Sequence, residues 1–219
     1  MRRWLALSAL VGVLAVEADA NAQPVSPAPN RDVAWQTVTG ITLGLGAASQ
    51  LLMPRIFYSD PEVTVGWKAR FHVSVLAPVM TLSMMTVLNE FALKDAFKGD
   101  RPGCDDSNRG LQNCTTFGML SSHSFGAGAA LGHGSAVFLF DTLKWGGGKW
   151  SGYALAGNVA FPLVTGVLTT VGRAVGNWES GGQIIAGGLA GLGFGFLSGT
   201  MYTLMQRPEC GYTGSLICW

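Results

Sequence analysis

The sequence predicts an all-α fold: an integral membrane bundle of about five transmembrane helices. Three observations carry that expectation. Of 219 residues, 48% are hydrophobic and only 12% charged, with a mean hydropathy of +0.32, whereas a soluble domain carries about a quarter charged residues. Five long stretches, 33–54, 71–89, 111–140, 150–172 and 180–206, contain no Asp, Glu, Lys or Arg. Each can hold a helix that crosses about 30 Å of hydrocarbon. Glycine is frequent inside them, as at Gly181-Gly182 and throughout 187–199. In water each such glycine costs a helix about 1 kcal/mol relative to alanine, while in lipid it lets neighbouring helices approach closely. A soluble all-helical core is the alternative, and the scarcity of charge to coat a wet surface speaks against it. A net charge of +1 leaves no basic footprint for nucleic acid.

Taken in order, residues 1–22 read as a secretory signal. Arg2 and Arg3 form a basic start, residues 4–16 an apolar stretch too short to span a bilayer, and Ala20-Asn21-Ala22 a cleavage signature. An uncleaved anchor is the alternative. Residues 23–32, with Pro24, Pro27 and Pro29, read as an extended linker. The membrane domain follows over 33–206, and 207–219 form a tail. With the N-terminus outside, the connections 55–70 (Arg55, Lys68, Arg70) and 141–149 (Lys144, Lys149) fall in the cytoplasm, in accord with the positive-inside tendency. Segments 90–120 and 173–179 then share the outer face. This describes a bacterial-type inner membrane protein whose outer face meets the periplasm. In the third stretch the first ten residues read as loop, and the helix starts near Ser121.

Four cysteines occur. Cys104 and Cys114 lie in the outer loop, where an oxidising compartment favours a disulfide. Cys210 and Cys218 flank the tail, which the helix count places inside; a bridge there would contradict the count or move the tail outside. No C-x-x-C pattern suggests structural zinc.

Three outer segments carry chemistry. Lys94 and Arg101 are seven residues apart, two helical turns, and share a face if the helix continues; Pro102 biases the helix to end near Arg101. Alone, this pair reads equally as the snorkelling end of a membrane helix. Leu120-Ser121-Ser122-His123 precedes the apolar run 125–140. Its serines suit a helix start, which is also a natural anion site, and His123 could hand a proton to a leaving oxygen. A plain N-cap with an interfacial histidine is the simpler reading. Arg173 stands in Gly172-Arg173-Ala-Val-Gly-Asn-Trp178-Glu179-Ser-Gly-Gly-Gln183, just before the last apolar run.

Together, Lys94-x6-Arg101-Pro102, Ser121-Ser122-His123, and Arg173 followed by Ile184-Ile185-Ala186-Gly187 resemble the type 2 phosphatidic acid phosphatases and vanadium haloperoxidases, over roughly residues 33–206. The resemblance implies that Lys94, Arg101 and Arg173 bind phosphate oxygens with help from the Ser121 and Ser122 segment, and that His123 protonates the leaving alcohol. It implies a metal-independent reaction without cofactor on a lipid phosphate or pyrophosphate, with membrane lipids as partners. The family's usual Pro-Ser-Gly-His reads Leu-Ser-Ser-His here. Its nucleophilic histidine falls at Glu179, and the aspartate that orients that histidine falls at Gln183. The remaining histidines, His72 and His133, are poorly placed to replace the nucleophile; His133 lies about 15 Å along the helix from His123. The expectation is an outward-facing phosphate pocket with weakened or lost hydrolysis. The alternative is a catalytically silent membrane protein that binds anionic lipid head groups or a partner.

Overall fold

The computed structural model describes residues 31–56, 73–104, 114, 117–145, 148 and 152–205. The expected signal, most of the linker, the 57–72 connection with His72, and the tail with Cys210 and Cys218 lie outside them. The described chain is all-helical and comprises five helices. Helix α1 is Val33–Ile56. Helix α2 is Val73–Leu88, prolonged by a π turn, Asn89–Leu93, and a last turn, Lys94–Phe97. Helix α3 is Ser122–Phe140, prolonged by the π turn Asp141–Trp145. Helix α4 is Phe161–Val175, led in by Gly152–Leu155 and the π turn Ala156–Ala160. Helix α5 is Gly181–Met205.

The helix ends have local causes. The Asp32 carboxylate accepts the Ala34 N–H at 2.8 Å and caps α1. Lys98, with φ 45°, turns the chain out of α2. The helix therefore stops at Phe97, earlier than the sequence suggested, and Arg101 is delivered by a loop rather than by a shared helical face with Lys94. Ser121 caps α3 by accepting the Ser124 N–H at 3.1 Å. Helix α5 opens with a reciprocal capping box: Ser180 N–H donates to Gln183 Oε1 at 2.9 Å, and Gln183 N–H to Ser180 Oγ at 3.4 Å.

The tightest packing joins α3 to α5. Gly187, Gly191, Gly195 and Gly199 recur every fourth residue and form one stripe of α5. A Cβ on Gly191 would strike the Phe125 carbonyl, and one on Gly195 the Ala129 carbonyl. Backbone meets backbone here, as small residues at fourfold spacing allow. Between α1 and α4, the buried hydroxyls of Thr42 and Thr169 lie 2.8 Å apart. The outer surface is apolar: Leu163, Val167 and Leu168 on α4 and Leu189, Leu197 and Met201 on α5 are exposed. Two stretches, Ala156–Val175 and Gly181–Leu204, are long and apolar enough to cross a membrane, and only 33% and 28% of their apolar windows is buried within the bundle.

The chain alternates so that the starts of α1, α3 and α5 and the ends of α2 and α4 gather at one end. Backbone bonds tie them: Asp32 N–H to the Gly176 carbonyl at 3.3 Å, Ser121 N–H to that of Gln183 at 3.2 Å, and Gly118 N–H to that of Gly99 at 2.7 Å.

Candidate anion site

At that end a cavity of about 290 Å³ opens among the helix termini. Two ion pairs form its framework, one half-buried and one buried on both sides. Lys94, 4% exposed, reaches back one turn to Glu90, Nζ to Oε2 at 2.7 Å, and Glu90 also accepts the Ser122 hydroxyl. Arg173, 3% exposed, donates from Nη2 to Glu179 Oε1 at 2.9 Å, while Glu179 Oε2 accepts the Ser121 hydroxyl. Arg101 and Arg31 add two more guanidiniums to the wall, with His123, Gln36 and Trp178. The guanidinium carbons of Arg31 and Arg173 lie 5.3 and 5.1 Å from the Trp178 ring centre, within cation–π range.

The electrostatics favour an anion. Among the described residues, four cationic side chains, Arg31, Lys94, Arg101 and Arg173, and two carboxylates, Glu90 and Glu179, line the cavity. Burial pushes the Glu179 carboxyl up, but the hydrogen bond and charge of Arg173, with the Ser121 hydroxyl, outweigh it and hold the group below the usual carboxylate range. For Glu90, burial is likewise outweighed, by bonds from Lys94 and Ser122. Burial lowers Arg101, and Arg173 adds to that effect against Glu179; Arg31 is lowered by burial and then by Arg101 and Arg173. Both remain cationic at neutral pH. His123 is lowered to about 4, by burial first and then by Arg173, so its ring is neutral at pH 7. Arg173 Nε and Nη1 are buried and have no hydrogen-bond partner, an arrangement that costs free energy unless an acceptor enters the cavity.

Of the residues singled out from sequence, Lys94, Arg101, Ser122, His123, Arg173 and Glu179 line this one cavity. Ser121 sits behind it, its hydroxyl committed to Glu179 and its oxygen to the α3 cap. Gln183 is elsewhere: besides its capping box it donates from Nε2 to the Asp100 carbonyl at 2.5 Å, pinning the Arg101 loop to α5 without orienting Glu179. His133 is buried in the α3–α5 seam beside Ser198, Nδ1 to Oγ 3.2 Å. Cys104 and Cys114 are bridged, and Arg31 Nη2 approaches Cys104 Sγ at 3.6 Å. Arg31, Glu90 and Trp178 were not found from sequence. A carboxylate one turn before Lys94 was a readable signal for Glu90; Arg31 sat in an expected linker and gave none. Among the described residues no group of three or more His, Cys, Asp or Glu is arranged to hold a metal ion.

Compared with known protein families, characterised proteins and solved structures, the chain matches none.

Proposed function

We propose that the chain is a membrane-embedded relative of the type 2 phosphatidic acid phosphatases whose outward cavity binds the phosphate group of a lipid phosphate or pyrophosphate, with hydrolysis weakened or lost. The observation that carries the binding reading is Arg173, a buried guanidinium with two donors lacking a partner on a cavity wall with three further cations. Bidentate guanidinium donors match phosphate oxygens. The first turn of α3 adds backbone N–H groups with no intrahelical acceptor. Membrane placement is supported by the apolar outer surface of α4 and α5. In this reading α3 crosses lipid over 125–140, so the site residues lie at the outer ends of the spans, beyond the hydrocarbon.

Glu179 favours the silent form of this reading. An attacking carboxylate needs a free oxygen aimed at phosphorus, and both Glu179 oxygens are held, one by Arg173 and one by Ser121. Its charge also repels the ligand it would have to attack. Calorimetry of inorganic phosphate and hydrolysis of phosphatidic acid by the purified chain test the two parts. Binding without turnover is expected, and Glu179→His with Gln183→Asp should gain turnover. Brisk hydrolysis by the unaltered chain would refute silence, and hydrolysis that survives His123→Ala would refute the role of His123. Failure to bind phosphate would remove the reading altogether.

A further inference from the structure

We propose that Glu90 makes the cavity select an anion that keeps a proton, a phosphate monoester, over a phosphodiester or sulfate. This rests on the reading of the cavity as a phosphate site and names the class of phosphate it takes. The Glu90 carboxylate lines the cavity, its side chain 39% exposed. Both of its hydrogen bonds fall on one oxygen: Oε2 accepts Lys94 Nζ at 2.7 Å and also the Ser122 hydroxyl. Oε1 accepts none among the described residues. This polarity is fixed from behind. Asn89 is fully buried, and its Nδ2 donates to Ser122 Oγ at 3.0 Å and to the Leu120 carbonyl at 3.3 Å, so the Ser122 proton is left for Glu90. Glu179 is the contrast: Arg173 holds its Oε1 and Ser121 its Oε2. One carboxylate of the cavity is closed and the other is half open.

Service as a counter-charge for Lys94 does not account for the open oxygen, since Oε2 alone makes that pair. Against the upward push of burial, the bonds from Lys94 and Ser122 hold Glu90 below the usual carboxylate range. At neutral pH the group is therefore ionised and can only accept. Beside a fully deprotonated anion, two acceptors would meet with no proton between them, which forfeits a hydrogen bond and adds repulsion. Lys94, next to it, carries three donors and spends one on Glu90. Donor and acceptor thus stand side by side on one wall, a pattern that fits P–O⁻ next to P–OH. Arg173, with two donors lacking a partner, supplies bonds to the other oxygens. A phosphate monoester loses its last proton near pH 6, so keeping it at neutral pH costs only about tenfold in population. A diester has no such proton, and sulfate has none at neutral pH.

The test measures affinities of the purified full chain in detergent, at neutral pH, for phosphate against sulfate and for methyl phosphate against dimethyl phosphate. Sulfate has the shape and charge of a phosphate dianion, so the first comparison isolates the proton. Phosphate should bind about tenfold or more tightly than sulfate, the loss expected when a charged acceptor is left without its donor, and methyl phosphate more tightly than dimethyl phosphate. Glu90→Gln, whose amide can donate, should bring the phosphate-to-sulfate ratio close to one by raising sulfate affinity. That change also releases Lys94, which strengthens both anions, so the ratio is the readout; circular dichroism checks that the variant folds. Equal affinity of the unaltered chain for phosphate and sulfate would overturn the inference without any variant. So would a ratio that survives intact in folded Glu90→Gln, the result expected if water alone occupies Oε1. A loss in Glu90→Gln confined to glycerol phosphate, with the phosphate-to-sulfate ratio unmoved, would give Oε1 to a head-group hydroxyl and overturn it as well. If the unaltered chain binds neither phosphate nor sulfate, the phosphate reading falls first, and this inference with it.

Discussion

Replacing Glu179 by Gln separates the two roles of that carboxylate, counter-charge and obstacle. Glu179 is 4% exposed and neutralises Arg173, itself 3% exposed. Removing one charge of a buried pair costs about 3–5 kcal/mol; Gln keeps an oxygen that can accept from Arg173, so the lower figure applies. The same change removes the negative charge of one of the two carboxylates among the lining residues. At an effective dielectric of about 20, one charge about 6 Å from a bound phosphate is worth about 3 kcal/mol, so phosphate affinity should rise by about a hundredfold. The variant should unfold at a lower temperature than the parent without phosphate, and saturating phosphate should close most of that gap. Thermal unfolding in detergent, with and without phosphate, reads both effects. An unchanged midpoint together with weaker phosphate binding would show that Glu179 is neither Arg173's counter-charge nor an obstacle to anions.

Four further outcomes are expected. Gly195→Val should destabilise the bundle by more than the roughly 1–3 kcal/mol typical of overpacking, because its side chain meets the Ala129 backbone rather than a movable side chain; thermal unfolding checks this against Gly193→Val, where nothing lies within 4 Å of the added Cβ. His123, held near 4 in the folded site against about 6.5 when free, takes up its proton first in the unfolded chain, so stability should fall as pH drops from about 6.5 toward 4. Glu179, lowered when folded, adds stability above its unfolded value of about 4.3 that is lost as pH falls through the folded one; denaturation curves of the parent and His123→Gln should therefore differ mainly between about pH 6.5 and 4. Asn158 is fully buried with both amide atoms unpartnered, so Asn158→Leu should stabilise by about 1–3 kcal/mol, and a lower unfolding midpoint would contradict that accounting. Replacing Cys104 and Cys114 by Ser should cost about 2–3 kcal/mol, as for a short closed loop, and should also weaken phosphate binding, since the loop that carries Arg101 is freed at one end; calorimetry on the double variant checks the second part.

The helices were legible because charge is so scarce: wherever 20 or so residues lack it, a helix is found, and Ser121 was readable as the start of α3 from its serines alone. The convergence of 94–101, 121–123 and 173–179 followed from counting helices, since alternation puts every second end on one side. What composition could not convey was direction inside the site. Lys94 and Arg101 were placed on one face by their spacing, but Lys98 breaks the helix between them, and nothing in periodicity announces a left-handed residue at a lysine. Gln183 was read through a family position, whereas Ser180-Gly-Gly-Gln183 is itself a capping signature that explains the side chain locally. Arg31 was hidden by its proline-rich neighbours. Its position depends on Trp178, far along the chain, and such contacts leave no trace in a local window.

The glycine stripe has a bearing on how this site can change. Helix α3 carries Ser122 and His123 into the cavity, and from Gly187 to Gly199 the glycine stripe of α5 packs directly on the α3 backbone behind them. A protein normally retunes a binding site by exchanging one buried side chain for another of different bulk behind it. Here there is nothing behind it to exchange. This side of the cavity behaves as a fixed die, and variation in what the cavity accepts is left to the loops that bring Arg31, Arg101 and Trp178 to its wall.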